Sequence, residues 1–403
     1  KRHWVNASTQ DFILHKIRLI NGTENDDEIG GGDSVENKSS TRLWWCFREG
    51  TLNRSQVNKP QQDITTEEQT ALCQCQAEWH GKDCGQPEII WRTLLAAQRN
   101  IQLQQPTTQA PHKLIYMLDG YFFNLDLLEL QIRTVLEVVD YFVINISQKK
   151  AKPLRIKAIE RRLRDILKRG QFIAYSLLKH GIDQGRTQPT KATDIFLYTS
   201  DCEILNRKAL KFIKYYYDAD LAHGPMTAIR FRLKYVVYGF YWQHPKLTHI
   251  SGILSSFATL ESPGGGNGDP RLLQHRVVET AQIPAIVIGD LNHFGGWYCQ
   301  NCQQPDEIIL ELHAAQDATG KQNVQFPNAT RNRQIDKSYI QKLIAQGQHI
   351  DESKQTLLKL RRYTDKYYAP RYAEQCSWKF GNLLVNLYVS LEEDGDEDDE
   401  GAY

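Results

Sequence analysis

Apolar and polar positions divide the chain into a polar beginning, a long patterned middle and an acidic end. Residues 1–42 show no apolar period and are rich in Asn, Ser, Gly and Asp, which is typical of an extended, glycosylated stem. Residues 392–400 are almost entirely acidic and predict a disordered tail. We therefore expect a stem at 1–42, a cysteine module at 43–90, a linker at 91–112, a large domain at 113–380 and a C-terminal segment at 381–403.

Within the large domain, short apolar runs alternate with segments whose apolar residues recur at helical spacing. The runs predict strands at 113–118, 141–146, 172–178 and 195–199, and a longer aromatic strand at 230–242. Helical spacing occurs at 125–136 and 151–168. This alternation predicts an α/β fold with a mostly parallel sheet, in which ligands bind beyond the carboxyl ends of the strands.

Two segments of the large domain could be taken for anion sites. The helix predicted at 151–168 is strongly basic, but a solvated outer face is the simpler interpretation of its charges. The segment from Ser262 to Gly268 is rich in glycine but lacks the Lys-Ser/Thr ending of a phosphate-binding P-loop. We interpret it as a flexible surface loop rather than as a phosphate cradle.

Composition limits the classes of function. The chain has 403 residues, 41% of them hydrophobic, and a formal net charge of +1. Near neutrality argues against nucleic-acid binding or membrane-surface binding by the whole chain. No apolar run approaches the roughly 20 residues that a membrane helix needs. Length and composition suit one domain of catalytic size with small additions.

Sequons and cysteines indicate the compartment. Four cysteines fall close together before the large domain, at Cys46, Cys73, Cys75 and Cys84. Asn-x-Ser/Thr sequons occur at Asn6, Asn21, Asn37, Asn53, Asn145 and Asn328. Their clustering beside the cysteines favours passage through the secretory pathway. We expect the luminal portion of a glycoprotein whose targeting segment, an N-terminal signal anchor, lies outside this sequence.

The segment from Cys73 to Gly85 resembles the second half of an EGF-like module. By analogy with such modules, we expect disulfides Cys46–Cys73 and Cys75–Cys84. The alternative is a zinc site that includes His80, because cysteine and histidine are also zinc ligands. Further along, Cys299 and Cys302 could form a local disulfide or remain a free pair; the setting of a redox motif is missing.

Two carboxylates follow the strand predicted at 195–199. Asp201 and Glu203 are separated by one residue, so their side chains can point together into a crevice and share a divalent cation. Such a cation can also bind the diphosphate of a nucleotide. The pair is therefore a candidate metal site.

Several segments, in the same order along the chain, together resemble glycosyltransferase family 17. They are 46–51, 75–85, 123–130, 138–143, 152–154, 238–242, 294–299, 339–347 and 368–372. The resemblance covers roughly residues 46–372. It implies a type II membrane enzyme of the Golgi with an A-type glycosyltransferase fold, a divalent cation, Mn²⁺, as cofactor and UDP-N-acetylglucosamine as donor. The implied reaction adds N-acetylglucosamine in β-1,4 linkage to the core mannose of an N-glycan, with inversion.

The resemblance also suggests roles for particular residues. Asp201 and Glu203 fall on the acidic motif of the family and would hold the metal diphosphate. Further candidates for donor or acceptor binding are Asp126, Tyr241, Trp242, His293 and Trp297. Aromatic rings can stack on sugars, although core packing is the stronger expectation for Tyr241 and Trp242. A structural role is likewise the stronger expectation for His293.

The sequence departs from the family pattern around the expected site. Cys202 stands inside the acidic motif, and only a short polar segment separates Leu178 from Asp194. Asn145 stands where the family has a Glu-containing strand end, and Tyr298 where a His is usual. An alternative function is therefore a non-catalytic luminal protein that binds glycans or regulates their processing.

Overall fold

The computed structural model describes residues 11–19, 40–52, 73–96, 112–146, 153–167, 172–174, 191–216, 228–319, 335–350 and 355–389. The chain divides into two compact units, residues 1–111 and residues 112–403. The acidic tail lies outside the described residues, as do the sequons Asn6, Asn21, Asn37, Asn53 and Asn328. No helix in the described part of the chain is both long enough and apolar enough to cross a membrane.

The first unit begins with a β-hairpin-like pair of strands. Strand β1 (Phe12–Leu19) pairs antiparallel with β2 (Ser40–Phe47). Part of the predicted stem is therefore strand rather than extended chain, because 12–19 is an apolar and β-branched run within polar surroundings. Strands β3 (Trp79–His80) and β4 (Gln86–Pro87) pair antiparallel, and helix α1 (Glu88–Ala96) follows. This helix occupies the first residues of the predicted linker.

Disulfides hold this unit together. Cys46 is bonded to Cys73 and Cys75 to Cys84, in the pairing expected from the EGF-like resemblance. Closing a loop of 27 residues contributes on the order of 3 kcal/mol in the chain-entropy model. His80 contacts Glu88 and stacks on the ring of Trp91. The four cysteines are thus oxidised, and the zinc alternative is excluded.

The second unit contains eleven of the described strands. They are β5 (Leu114–Gly120), β6 (Tyr141–Ile146), β7 (Phe172–Ala174), β8 (Ile195–Ser200), β9 (Glu203–Leu205), β10 (Ala228–Val237), β11 (Trp242–Ile250), β12 (Ile253–Ser256), β13 (Ala285–Ile288), β14 (Gly296–Gln300) and β15 (Leu358–Lys359). Its helices are α2 (Leu125–Val135), α3 (Pro153–Ile166), α4 (Arg207–Tyr216), α5 (Phe257–Glu261), α6 (Pro270–Gln274), α7 (Pro305–Thr319), α8 (Lys337–Gln346), α9 (Arg371–Gln375) and α10 (Gly381–Leu384).

These strands form one sheet in the order β15-β11-β10-β12-β8-β5-β6-β7, and β13 and β14 also pair with β10. Strands β7, β6, β5 and β8 are mutually parallel, whereas β12 runs antiparallel to both β8 and β10. Helix α2 connects β5 to β6, and α3 connects β6 to β7. The α/β class and the parallel centre of the sheet are confirmed.

Local sequence explains the two connecting helices. The side chain of Asn124 caps α2 by accepting hydrogen bonds from the backbone amides of Asp126 and Leu127. On α3, Ile159 and Leu163 are buried, while the exposed face is largely basic. This division agrees with the solvated outer face predicted for the basic helix.

The prediction of one long strand at 230–242 is wrong. Strand β10 ends at Val237, a turn follows, and β11 begins at Trp242. Tyr238 has a left-handed backbone with φ of 67°, and a Cβ on Gly239 would lie 2.4 Å from the ring of Tyr241. The run of aromatic residues hid this turn, because their side chains pack into the core on both sides of it.

The large domain also extends past its predicted end at residue 380. Leu383 and Leu384 on α10 are buried, and the backbone amide of Phe240 donates to the carbonyl of Leu383 over 2.7 Å. Residues 381–384 are therefore part of the core rather than of a separate C-terminal segment.

Candidate functional site

The order of the parallel strands locates a crevice. Along the chain, β5, β6, β7 and β8 are the first, second, third and fourth strands of this unit. In the sheet, β6 and β7 lie on one side of β5 and β8 lies on the other, so the strand order reverses between β5 and β8. In open α/β sheets, ligands bind beyond the carboxyl ends of the strands at such a reversal. We call this region the switch-point edge; it is formed by the carboxyl ends of β5, β6 and β8 and by the described residues that follow β5 and β8.

Asp119 lies at the centre of the switch-point edge. It is in register with Asn145 on β6 and with Ser200 on β8. Its Oδ1 accepts a hydrogen bond from Asn145 Nδ2 at 2.9 Å, and its Oδ2 accepts one from the hydroxyl of Tyr198 at 2.7 Å. Burial and the neighbouring Asp119 raise the pKa of Tyr198, so this hydroxyl stays protonated and donates.

Arg271 completes the cluster around Asp119. Its Nε and Nη2 donate to Asp119 Oδ2 over 3.2 and 3.0 Å. The hydrogen bond to Asp119 raises the pKa of the Arg271 guanidinium above its already high ordinary value, so it is charged at any physiological pH. The Asp119 side chain is only 13% exposed, whereas that of Arg271 is 60% exposed. The cluster therefore presents a fixed cation to solvent.

A compact glycine-rich loop precedes α6, which carries Arg271. Backbone amides in this loop donate to carbonyls of the same region, for example Gly266 to Thr259 and Gly268 to Leu260. A Cβ on Gly265 would lie 1.8 Å from the carbonyl oxygen of Thr259. Because these amides already donate to backbone carbonyls, the loop does not form a phosphate-binding site. It is an ordered loop that packs against the residues before α6, not the flexible surface loop that we expected.

Asp201 directly follows β8 and closes the turn after β5. Its Oδ2 accepts hydrogen bonds from the backbone amides of Tyr121 and Phe122 at 2.9 and 2.8 Å. A Cβ on Gly120 would lie 2.3 Å from the same carboxylate. Burial raises the pKa of Asp201, although the two amide hydrogen bonds act in the opposite direction. Asp201 thus shapes the switch-point edge through the backbone.

Glu203 has a separate set of partners. Its Oε1 lies 2.7 Å from Nε2 of His249, and its Oε2 accepts a hydrogen bond from the backbone amide of Gly252 at 3.0 Å. The His249 ring stacks on Tyr298 with centroids 4.0 Å apart and an angle of 15° between the planes. Glu203 is buried and therefore needs these hydrogen bonds.

Negative charge accumulates around Cys202, between these two carboxylates. Burial raises the pKa of the Cys202 thiol well above its ordinary value, and the charges of Asp201, Glu311 and Glu203 add to the shift. Burial also raises the pKa of Glu311 itself. In this arrangement Cys202 is therefore a protonated thiol.

These contacts test the expected metal pair directly. Both oxygens of Glu203 already accept hydrogen bonds, and Oδ2 of Asp201 accepts two. Among the described residues, no group of three or more His, Cys, Asp or Glu side chains is arranged to hold a metal ion. A Mn²⁺ site needs several oxygens free to coordinate. Asp201 and Glu203, as arranged, do not fit that role.

The remaining candidates are dispersed. Asp126 on α2 forms an ion pair with Arg162 on α3 over 2.8 Å. His293 lies in a turn where Nδ1 is 3.2 Å from Asp290 Oδ1. Tyr241 is buried, and Trp242 and Trp297 are buried with their indole N–H groups donating to the carbonyls of Ile344 and Tyr367. These side chains support the fold around the site.

The structure also gives the contacts of Asn145, Cys299 and Cys302. Asn145 is half-buried, and the Nδ2 atom that would carry a glycan donates to Asp119, so this sequon lies within the switch-point edge. Cys299 and Cys302 form a disulfide, which settles the alternatives for that pair.

Sequence reasoning missed both Asp119 and Arg271. The predicted first strand stopped one residue before Asp119, although a carboxylate at the end of a parallel strand is a recognisable signal. No sequence pattern indicated Arg271, because its contact with Asp119 spans 152 residues.

Comparisons with known proteins give no assignment. No protein-family model matches the sequence, and no curated protein matches it. One solved structure, titled 4-diphosphocytidyl-2C-methyl-D-erythritol synthase, aligns with 45% of this chain and 90% of its own at 17% identity and a TM-score of 0.27. Another, S. aureus TarS 1-349, aligns with 58% of this chain and 69% of its own at 12% identity and a TM-score of 0.24. At these TM-scores neither superposition carries weight for fold or function.

Proposed function

We propose that the second unit is a nucleotide-sugar-dependent glycosyltransferase that binds its donor at the switch-point edge. In the specific form of this proposal, it moves N-acetylglucosamine from UDP-N-acetylglucosamine to the β-mannose of an N-glycan core in β-1,4 linkage. The protein would act in the Golgi lumen, held there by an anchor outside this sequence, with glycoproteins as its acceptors.

One observation carries this proposal. The reversal of strand order lies between β5 and β8, and a charged, partly exposed cluster sits at the carboxyl end of β5. This is where an α/β sheet of this order accommodates nucleotides. The disulfides of both units suit an oxidising lumen. The resemblance of the ordered sequence segments to glycosyltransferase family 17 supports the choice of donor and acceptor.

The chemistry makes definite demands on the protein. The donor is α-linked and the product β-linked, so the acceptor hydroxyl attacks the anomeric carbon from the face opposite to the diphosphate. The new C–O bond forms as the bond to UDP breaks, and the electron pair leaves on the phosphate oxygen. The hydroxyl proton passes to a base. The protein must also stabilise the charge that develops on the departing diphosphate.

A transfer assay tests the proposal. The glycosylated protein is incubated with UDP-N-acetylglucosamine and a panel of N-glycans, and products are identified by mass and by linkage-specific digestion. We expect one added N-acetylglucosamine on the core mannose. Transfer to another position or from another sugar nucleotide would keep the general proposal and reject the specific one. Absence of binding by UDP and by every other nucleoside diphosphate in calorimetry would reject both.

A non-catalytic luminal protein is the second candidate function. The specific observation in its favour is that Asp201 and Glu203, which fall on the acidic motif, are both hydrogen-bonded within the fold. In that case the protein would bind N-glycans on a glycan array without turning over any sugar nucleotide. Binding of UDP with no transfer to any acceptor in the panel would favour this candidate.

A further inference from the structure

Arg271 is an exposed cation held in a fixed position at the switch-point edge. Asp119 engages its Nε and Nη2 atoms, and the side chain is nevertheless 60% exposed to solvent. A guanidinium fixed on one side by a carboxylate can offer its other N–H groups to the oxygens of a second anion. The side chain is therefore prepared for a ligand without the cost of ordering it.

Asp119 does not depend on Arg271 alone. Asn145 and Tyr198 also donate hydrogen bonds to its carboxylate, at 2.9 and 2.7 Å. Three side chains, those of Asn145, Tyr198 and Arg271, thus donate to the carboxylate of Asp119. The guanidinium of Arg271 has further N–H groups that can donate to a ligand.

The surroundings hold Arg271 in place from the other side. Asp269 caps α6 by accepting a hydrogen bond from the backbone amide of Arg271 at 2.9 Å. Arg276 donates to the carbonyls of Pro263 and Gly265 at 2.5 and 2.7 Å, which ties the glycine-rich loop to the turn after α6. Backbone and side chain of Arg271 are both anchored, as a binding residue requires.

The departing diphosphate needs a positive charge, and Asp201 and Glu203 do not fit the role of metal ligands. We infer that Arg271 binds the diphosphate of the donor and supplies the charge stabilisation that a divalent cation would otherwise provide. This inference rests on the proposed function. Its consequence is that donor binding by this protein does not require a metal ion.

Calorimetry with UDP on the full chain treated with EDTA tests the inference. We expect UDP to bind without metal, and Arg271→Gln to weaken it about 10- to 100-fold, as the loss of a charged hydrogen-bonded contact implies. The UDP affinity of Arg271→Lys should lie between that of wild type and that of Arg271→Gln. Arg164→Gln is the matched control, because it removes the same charge from the exposed face of α3. We expect it to change UDP affinity less than about twofold.

Uridine serves as a second probe, because it lacks the diphosphate. Ligand-observed NMR should show that wild type and Arg271→Gln bind uridine with equal affinity. If Arg271→Gln instead loses affinity for uridine and for UDP by the same factor, its fold is damaged and the assigned contact between Arg271 and the diphosphate is overturned. The inference is also overturned if Arg271→Gln binds UDP like wild type, or if wild type binds UDP only after Mn²⁺ is added. Failure of wild type to bind UDP with or without Mn²⁺ would instead reject the proposed function.

Discussion

The two halves of the large sheet use their side chains in opposite ways. Around β10, β11 and β14, large aromatic side chains such as Trp242 and Trp297 are buried, and their N–H groups are satisfied by backbone carbonyls. At the switch-point edge, short polar side chains meet at strand ends, and a charged Arg271 remains largely exposed. The first half buries its polar atoms in hydrogen bonds to the backbone; the second leaves one cation, Arg271, largely exposed at the edge where we propose that the donor binds.

This difference warns against assigning binding roles from residue type alone. Tyr241, Trp242 and Trp297 are types that stack on sugars, but a buried aromatic residue with its polar atom paired contributes mainly packing. Asp119 and Asn145 are ordinary polar residues, yet the sheet order places them where ligands bind. The proposed site therefore rests on position in the topology rather than on residue type.

The largest effect we predict is in the aromatic half. Trp242→Ala should lower the free energy of unfolding by about 3–5 kcal/mol, because it opens a cavity and removes the indole N–H, one of the donors to the carbonyl of Ile344. Gly347 packs against the same indole, where a Cβ would lie 2.7 Å from the ring. Chemical denaturation followed by fluorescence measures the change.

Trp378→Ala is the matched control, because that indole is 84% exposed. We expect it to change stability by less than about 0.5 kcal/mol. Below its melting temperature, Trp242→Ala should bind UDP and acceptor glycan like wild type. Unchanged stability together with lost glycan binding would show that Trp242 is a sugar contact, and the comparison between the two halves would then fail.

The glycine-rich loop connects stability to the switch-point edge. Gly265→Ala places a Cβ 1.8 Å from the carbonyl oxygen of Thr259, so the loop must shift. Overpacking of this kind costs about 1–3 kcal/mol. Because the loop supports α6, we also expect UDP affinity to fall in the same direction as for Arg271→Gln, measured by calorimetry.

Gly381→Ala provides the control, since a Cβ there meets no atom within 4 Å. It should leave UDP affinity unchanged and alter stability by no more than about 1 kcal/mol. If Gly265→Ala lowers the melting temperature while UDP affinity stays at the wild-type value, the loop does not position Arg271.

The sequence predicted the elements of the parallel centre well and the antiparallel half poorly. Strand 141–146 was predicted with its observed bounds, and helix 125–136 with an error of one residue at its end. Such elements carry a clear period because one face is buried. The aromatic run at 230–242 has no such period, so neither its turn at Tyr238 nor the start of β11 could be recognised.

The candidate site was predicted only in part, for a similar physical reason. Asp201 was located because it follows a predicted strand, but its hydrogen bonds to the amides of Tyr121 and Phe122 join segments 79 and 80 residues apart. The contact between Asp119 and Arg271 spans a longer separation still. The local sequence pattern predicts that a charged residue lies at the end of a strand. It does not predict the hydrogen-bond partner, distant in sequence, that determines what the charged residue does.

A buried lysine in the aromatic half gives a test that depends on pH. Lys234 is 3% exposed, its Nζ donates to the carbonyls of Lys366 and Tyr367, and burial lowers its pKa to about 8. Between pH 8 and the ordinary lysine pKa of about 10.4, the unfolded chain binds more protons than the folded one. Stability due to this group therefore rises with pH across that window.

Lys234→Met removes this titration. We expect the melting temperature of wild type relative to the variant to rise by about 4–8 °C from pH 8 to pH 10, as roughly 2 kcal/mol would produce in a domain of this size. Lys366→Met serves as the control, because it changes the neighbouring side chain but keeps Lys234. A difference between wild type and Lys234→Met that stays constant with pH would show that Lys234 is not a buried cation in solution.

The smallest effect we predict concerns Asn145 and separates its two possible roles. Asn145→Ala removes the hydrogen bond that the uncharged Asn145 amide donates to the Asp119 carboxylate. It should cost about 0.5–1.5 kcal/mol of stability, because Tyr198 and Arg271 still donate to that carboxylate. Ser147→Ala abolishes the sequon but keeps the asparagine. If the side chain matters through Asp119, Asn145→Ala should weaken UDP binding slightly, by about two- to fivefold, because Asp119 loses a donor and draws more on Arg271. Ser147→Ala should then bind UDP like wild type. If instead both variants lose mass by the same glycan and change UDP affinity equally, the glycan on Asn145 would be the group that acts at the switch-point edge.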